Sequence, residues 1–150
     1  MGNDTKTRQA QTRLAAQLMK RILVHFRGQI DEALRPQGVT TAQLQVLHAI
    51  RNEPGASGAQ LARFCHMTPQ SAQSLLKGLE KGGWIIRVKD KVNDRILVAQ
   101  LTRSGEALLE TAEKAARVIE KRVWNGVSDD AVGALNGVLE QCLGNLESES

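Results

Sequence analysis

The sequence predicts a mainly α-helical chain with one small β-hairpin, an α+β arrangement, and three observations predict it. Apolar residues recur at helical spacing through most of the 150 residues. Two capping signatures, Thr40 with Gln43 and Ser57 with Gln60, and a Thr68-Pro69 pair mark helix starts. A single β-branched and apolar stretch flanks a charged tip between Trp84 and Leu101. The length is that of one domain able to bury a core without staples. Cys65 and Cys142 are too few for a disulfide framework, and the polar N-terminus and lack of any membrane-length apolar run lead us to expect a cytoplasmic protein.

The elements follow in order. Met1 to Thr7 is polar and expected to fray. Leu14, Leu18, Ile22, Phe26, Ile30 and Leu34 recur every fourth residue, with Met19 and Leu23 widening the stripe, so a first helix of roughly 30 Å or more runs until Pro36 and Gly38 stop it. Thr40 opens a second helix with Leu44, Leu47 and Ile50 inward, and Pro54-Gly55 ends it. Ser57 caps a short third helix whose apolar face is Leu61, Phe64 and Cys65. After the break at His66-Met67, Thr68 caps a fourth helix with proline at its first position, where the missing N–H costs nothing. Its buried stripe is Ala72, Leu75, Leu76 and Leu79, and Gly82-Gly83 terminates it. Residues 84–88 and 96–101 form the hairpin. Thr102 then caps a helix carrying Leu108, Ala112, Ala115, Ala116, Ile119 and Val123, residues 124–128 interrupt it, and Ser128 caps a last helix with Val132, Leu135, Val138, Leu139, Cys142, Leu143 and Leu146.

The face of the fourth helix opposite its stripe presents Gln70, Ser71, Gln73, Ser74, Lys77 and Lys81. Alone, such a face is more readily a solvated surface than a binding one. A DNA major groove is the functional alternative, because Gln bonds the N6/N7 edge of adenine, Ser is adaptable and Lys reaches phosphate or guanine. Ser57, Thr68 and Pro69 belong to the same candidate surface, since helix N-termini favour phosphate. The hairpin adds Arg87, Lys89, Lys91 and Arg95. A basic hairpin directly after a helix-turn-helix is a wing, able to follow the backbone or place an arginine in the minor groove.

From Gly38 to Leu109 the chain resembles the multiple-antibiotic-resistance regulator (MarR) family of winged-helix transcription factors. The resemblance is carried by Thr41-Ala42-Gln43-Leu44-Gln45-Val46-Leu47, Gln60-Leu61-Ala62, residues 79–85 (Leu-Glu-Lys-Gly-Gly-Trp-Ile) and Leu101-Thr102-Arg103-Ser104-Gly105. The family's wing carries Asp, any residue, then Arg; here Arg95 matches, while the aspartate position holds Asn93, leaving Asp94 or Asp90 to brace the arginine. The resemblance implies a winged helix-turn-helix lobe at 39–101, with 8–36 and 103–146 as dimerisation helices of a homodimer. It implies a pseudopalindromic double-stranded DNA operator with half-sites roughly 34 to 36 Å apart, repression by promoter occlusion, and release by a small molecule, often an aromatic acid.

Charge agrees with this. Residues 36–105 hold nine Lys/Arg against four Asp/Glu, whereas residues 106–150 hold four against nine. The basic part is the winged segment, as binding a polyanion requires. The apolar faces of the first and last two helices exceed what a small lobe can cover, which independently predicts a second copy.

Other chemistry finds less support. His25, His48, Cys65 and His66 lack metal-ligand spacing, so neither metal nor cofactor is expected. Cys65 and Cys142 sit on apolar faces and read as packing rather than as redox switches, although a redox- or metal-responsive variant of the regulator is an alternative. Trp84 and Trp124 read as core. No catalytic order of Ser/His/Asp, no paired carboxylates and no phosphate loop is present, and an enzyme is not expected. A winged module that binds protein is the remaining rival. The Gln/Ser/Lys face argues against it.

Overall fold

A computed structural model describes residues 2–148, of Asn3 the backbone alone. The order is α1 (Gly2–Leu34), a 3-10 turn (Arg35–Gln37), α2 (Thr41–Asn52), α3 (Gly58–Phe64), α4 (Pro69–Lys81), β1 (Ile85–Lys89), β2 (Leu97–Leu101), α5 (Arg103–Val123) and α6 (Asp129–Glu147). The strands form one antiparallel hairpin with Arg87 opposite Ala99. This is the mainly helical winged arrangement expected. The chain divides into two compact units, one ending at Ile119 and one beginning at Glu120.

In the first unit the core is built from Ile30 and Leu34 of α1, Val39, Leu44, Leu47 and Ile50 around and within α2, Leu61 and Cys65, Leu76 and Leu79 of α4, Ile85, Ala99, and Leu108, Leu109 and Ala112 of α5. Removing a fully buried leucine such as Leu79 costs about 2–5 kcal/mol. The helix starts follow the local chemistry. Thr40 and Ser57 each accept from the N–H three residues on while the glutamine there reaches back to the cap N–H. Thr68 accepts from the Ser71 N–H at 3.1 Å, and Ser128 from the Ala131 N–H at 3.2 Å.

Several expectations are corrected. Helix α1 begins at Gly2, so residues 2–7 are not frayed; nothing there breaks a helix, and Asp4 in the first turn suits the helix dipole. On α3 the buried set is Leu61, Ala62 and Cys65, while Phe64 is half exposed. A helix of seven residues buries only one narrow face, and Phe64 falls on its flank, lining a surface depression with Pro54 and Ala56. Trp84 is partly buried against the core, but Trp124 is exposed, as is Cys142. The surplus of apolar surface expected on the terminal helices is present: none of the described residues of α6 is buried, and its stripe of Leu135, Val138, Leu139, Leu143 and Leu146 is exposed. The same is true of Leu14, Leu18, Met19, Ile22 and Leu23 on α1.

Two polar links tie the long helices to the lobe. Asp31 of α1 accepts from the Thr41 backbone N–H at 2.7 Å and from the Thr41 hydroxyl, so an α1 carboxylate satisfies a free donor at the start of α2. Arg51 of α2 pairs with Glu113 of α5 and also donates to His48 Nδ1 at 3.3 Å. Arginine has only donors, so His48 Nδ1 must be the acceptor of a neutral ring. The Arg51 hydrogen bond holds Glu113 below its usual range. Burial and then the Arg51 charge push His48 below its usual value, against the pull of Glu113.

Where the wing meets α5, Thr102 donates its N–H to Trp84 O at 3.0 Å and its hydroxyl to Gly83 O at 2.7 Å, while its Oγ1 accepts the Gly105 N–H. A Cβ at Gly105 would stand 2.2 Å from Trp84 O. Only glycine permits this approach.

Two outcomes follow for stability. Gly105→Ala is expected to lose about 1–3 kcal/mol through overpacking, read as a lower urea midpoint; an unchanged midpoint would mean the junction opens freely. Because His48 takes up a proton less readily folded than unfolded, stability should be full above its unfolded pKa and decline as pH falls through its lowered folded one. The urea midpoint should therefore drop from pH 7.5 to 5.5, and His48→Gln should flatten that drop. An equal drop in the variant would locate the pH dependence elsewhere.

Candidate nucleic-acid interface

The polar face of α4 is exposed because the other face is committed. Ala72, Leu76 and Leu79 are buried, Leu75 is partly so, and helical spacing turns Gln70, Ser71, Gln73, Ser74, Lys77 and Lys81 outward. All six are exposed. Their availability differs. Ser71 Oγ accepts from the Thr68 hydroxyl at 2.9 Å, so Thr68 and Ser71 serve first as a cap. Ser57 is likewise held in its capping box, and Pro69 occupies the first turn of α4 without a donor.

Gln73 is the residue that the structure places differently from a free reading side chain. Its Oε1 accepts from Arg87 Nη2 on β1 at 3.1 Å, joining α4 to the first strand of the hairpin. The Arg87 Nε is buried and makes no hydrogen bond. Among the described residues, Gln70, Ser74, Lys77 and Lys81 show no such engagement.

At the wing, Asp90 organises the tip. Its Oδ2 accepts the N–H groups of Val92 at 3.2 Å and Asn93 at 3.1 Å, and Asn93 Oδ1 accepts that of Arg95 at 3.1 Å. The residue at the family's aspartate position thus holds the Arg95 backbone, and Asp90 braces the turn rather than the guanidinium. Among the described residues no carboxylate pairs with Lys77, Lys81, Lys89, Lys91 or Arg95, and all five are exposed. They leave a strip of unpaired cations across α4 and the hairpin, in excess of Glu80, Asp90 and Asp94 in the same stretch. Val92, at 95 % exposure, sits among them at the tip. Sequence reading overlooked it, although an apolar residue inside a charged turn is itself a signal.

The remaining candidates lie outside this surface. Cys65 is buried, its Sγ against Gln45 O at 3.7 Å, and burial raises its pKa, which suppresses the reactive thiolate. Among the described residues no three His, Cys, Asp or Glu side chains gather as a metal site, and no helix is long and apolar enough to cross a membrane.

Comparison with known proteins agrees with this geometry. Residues 37–96 match the family model described as MarR family. The HTH-type transcriptional repressor Rv2887 of Mycobacterium tuberculosis is 35 % identical over 106 residues, which cover 71 % of this chain and 76 % of the relative. The crystal structure of Rv2887 in complex with DNA matches with a TM-score of 0.67 and 28 % identity, covering 85 % of this chain and 95 % of that one. Its complex with salicylic acid matches at 0.65 and 31 %, covering 83 % and 93 %. A MarR family transcription regulator, SP03579, shares the fold over 97 % of this chain and 98 % of its own, with a TM-score of 0.83 at 22 % identity. The exposed polar face of α4 and the hairpin fit these relatives, and the family match and the repressor relative establish that the chain belongs to the MarR family of DNA-binding, winged helix-turn-helix transcription regulators.

Proposed function

We propose that the protein is a homodimeric repressor that occupies a pseudopalindromic operator and leaves it when a small-molecule effector binds. The observation that carries this reading is the strip of unpaired α4 and wing cations beside exposed Gln and Ser side chains. In it α4 enters the major groove, the wing lies on the adjacent backbone with Arg95 at the minor groove, and Lys77, Lys81, Lys89 and Lys91 meet phosphates.

The second copy is supported by the uncovered apolar stripes of α1 and α6, which water would otherwise have to solvate. Residues 8–36 and 103–146 would supply the dimerisation helices and 39–101 the reading lobe. Two-fold symmetry then places the half-sites about one helical turn apart, roughly 34 to 36 Å. Repression follows the relative called a transcriptional repressor, and an aromatic-acid effector is supported by the salicylic acid complex of the same relative. Such a ligand releases the operator only if it binds the DNA-incompetent arrangement more tightly than the competent one.

Selection of bound sequences from random duplexes, followed by titration at two salt concentrations, tests the proposal. A pseudopalindrome bound at least a thousandfold above its scramble is expected, in line with the specificity ratio of about 10³ or more typical of such proteins. Equal, weak and salt-sensitive binding to both would favour a protein-binding winged module instead. Arg95→Ala is expected to weaken operator binding and reduce the salt slope by about one; unchanged binding would keep the wing off the DNA. Sedimentation velocity should show a dimer, and Leu139→Glu with Leu143→Glu should produce monomers that lose the operator. A monomeric wild type would remove the symmetry argument.

A further inference from the structure

We propose that Arg87 and Gly58 are specificity-determining positions that act by holding the Gln73 carboxamide in one orientation. The inference rests on the DNA-reading role proposed for α4.

Two elements converge on this one side chain of α4. Arg87, from β1, donates Nη2 to Gln73 Oε1 at 3.1 Å. Gly58, the first residue of α3, lies beneath the other end of the amide: a Cβ there would stand 2.4 Å from Gln73 Nε2 and 3.6 Å from Gln73 Cδ. The orientation of the amide is fixed by chemistry, because arginine carries donors alone and only the carbonyl oxygen can face it. Gly58 carries an ordinary helical backbone with no positive φ. What glycine provides is room for the Gln73 amide.

The consequence concerns which base edge Gln73 can match. A free glutamine reads adenine with its N–H and its oxygen together, to N7 and N6. Here one lone pair of Oε1 is committed to Arg87 and the plane of the amide is held by the protein; in this proposal the amide cannot turn its oxygen and N–H together to one base, and the NH2 donor is the group that reads. A donor in the major groove matches guanine O6 or N7, or thymine O4, rather than the two-point adenine pattern. Arg87 and Gly58 therefore shape sequence preference as positioning residues. Arg87 does so from the wing strand, and so couples the wing to base reading.

Sequence selection on wild type, Gln73→Ala, Arg87→Ala and Gly58→Ala distinguishes the possibilities. Gln73→Ala is expected to flatten preference at one symmetric pair of operator positions, where wild type prefers guanine or thymine about tenfold or more over adenine. Arg87→Ala and Gly58→Ala should change that same pair and leave the remaining positions alone, with adenine gaining as the amide is freed or displaced. Gly58→Ala changes no charge, so phosphate electrostatics cannot produce the effect. Alanine suits a helix, and the atom it meets is the end of a flexible side chain, so if Arg87→Ala fails to fold, Gly58→Ala decides the question. An operator whose base preferences are the same in wild type, Arg87→Ala and Gly58→Ala overturns the inference while leaving the regulator reading intact, as does a Gln73→Ala variant with unaltered preference. Recovery of no specific sequence by wild type overturns both.

Discussion

The structure depends on the division of α4 into two faces. Burial of Ala72, Leu76 and Leu79 fixes the rotation of the helix about its own axis, so the polar residues have only one direction in which to project. Every neighbouring element contributes to that constraint. Helices α2 and α3 pack against α4, the hairpin follows it after two glycines, and the core that receives the leucines extends to Leu108 and Leu109 of α5. A change at Leu79 would therefore act on the polar face of α4 without touching it, by letting the helix turn or tilt in its seat.

Most of the lobe was legible in the sequence because its signals are local. The hydroxyl and amide three residues apart at Thr40 and Ser57, and the Thr-Pro pair at 68–69, act within one helical turn and appear in the structure as expected. The hairpin was equally plain, though β1 lies one residue further on than the apolar run that announced it and β2 begins one residue later than its own. The less legible features were those set by contacts distant in sequence. The exposure of Phe64 depends on which side of α3 meets the core, and the Arg87 contact to Gln73 joins residues on different elements. The role of Gly58 could not be seen without the side chain that lies over it, since glycine at a helix start has no distinctive pattern.

The terminal helices present a different case. Their stripes were read correctly as apolar, yet for α6 and most of α1 an apolar stripe does not mean a residue buried within its own chain. Periodicity identifies the face that avoids water, not the molecule that covers it. The Asp31 link from α1 to Thr41 and the Arg51–Glu113 pair from α2 to α5 belong to neither the core nor the stripes. They are polar fasteners, directional where hydrophobic packing is not, and they fix the angle at which the long helices leave the lobe.

The junction of Gly83, Trp84, Thr102 and Gly105 leaves no slack between the hairpin and the first turn of α5. A joint without slack transmits torque. A twist applied to the start of α5 would therefore be carried into the base of the wing, and the paired strands would lengthen it into a swing of the tip.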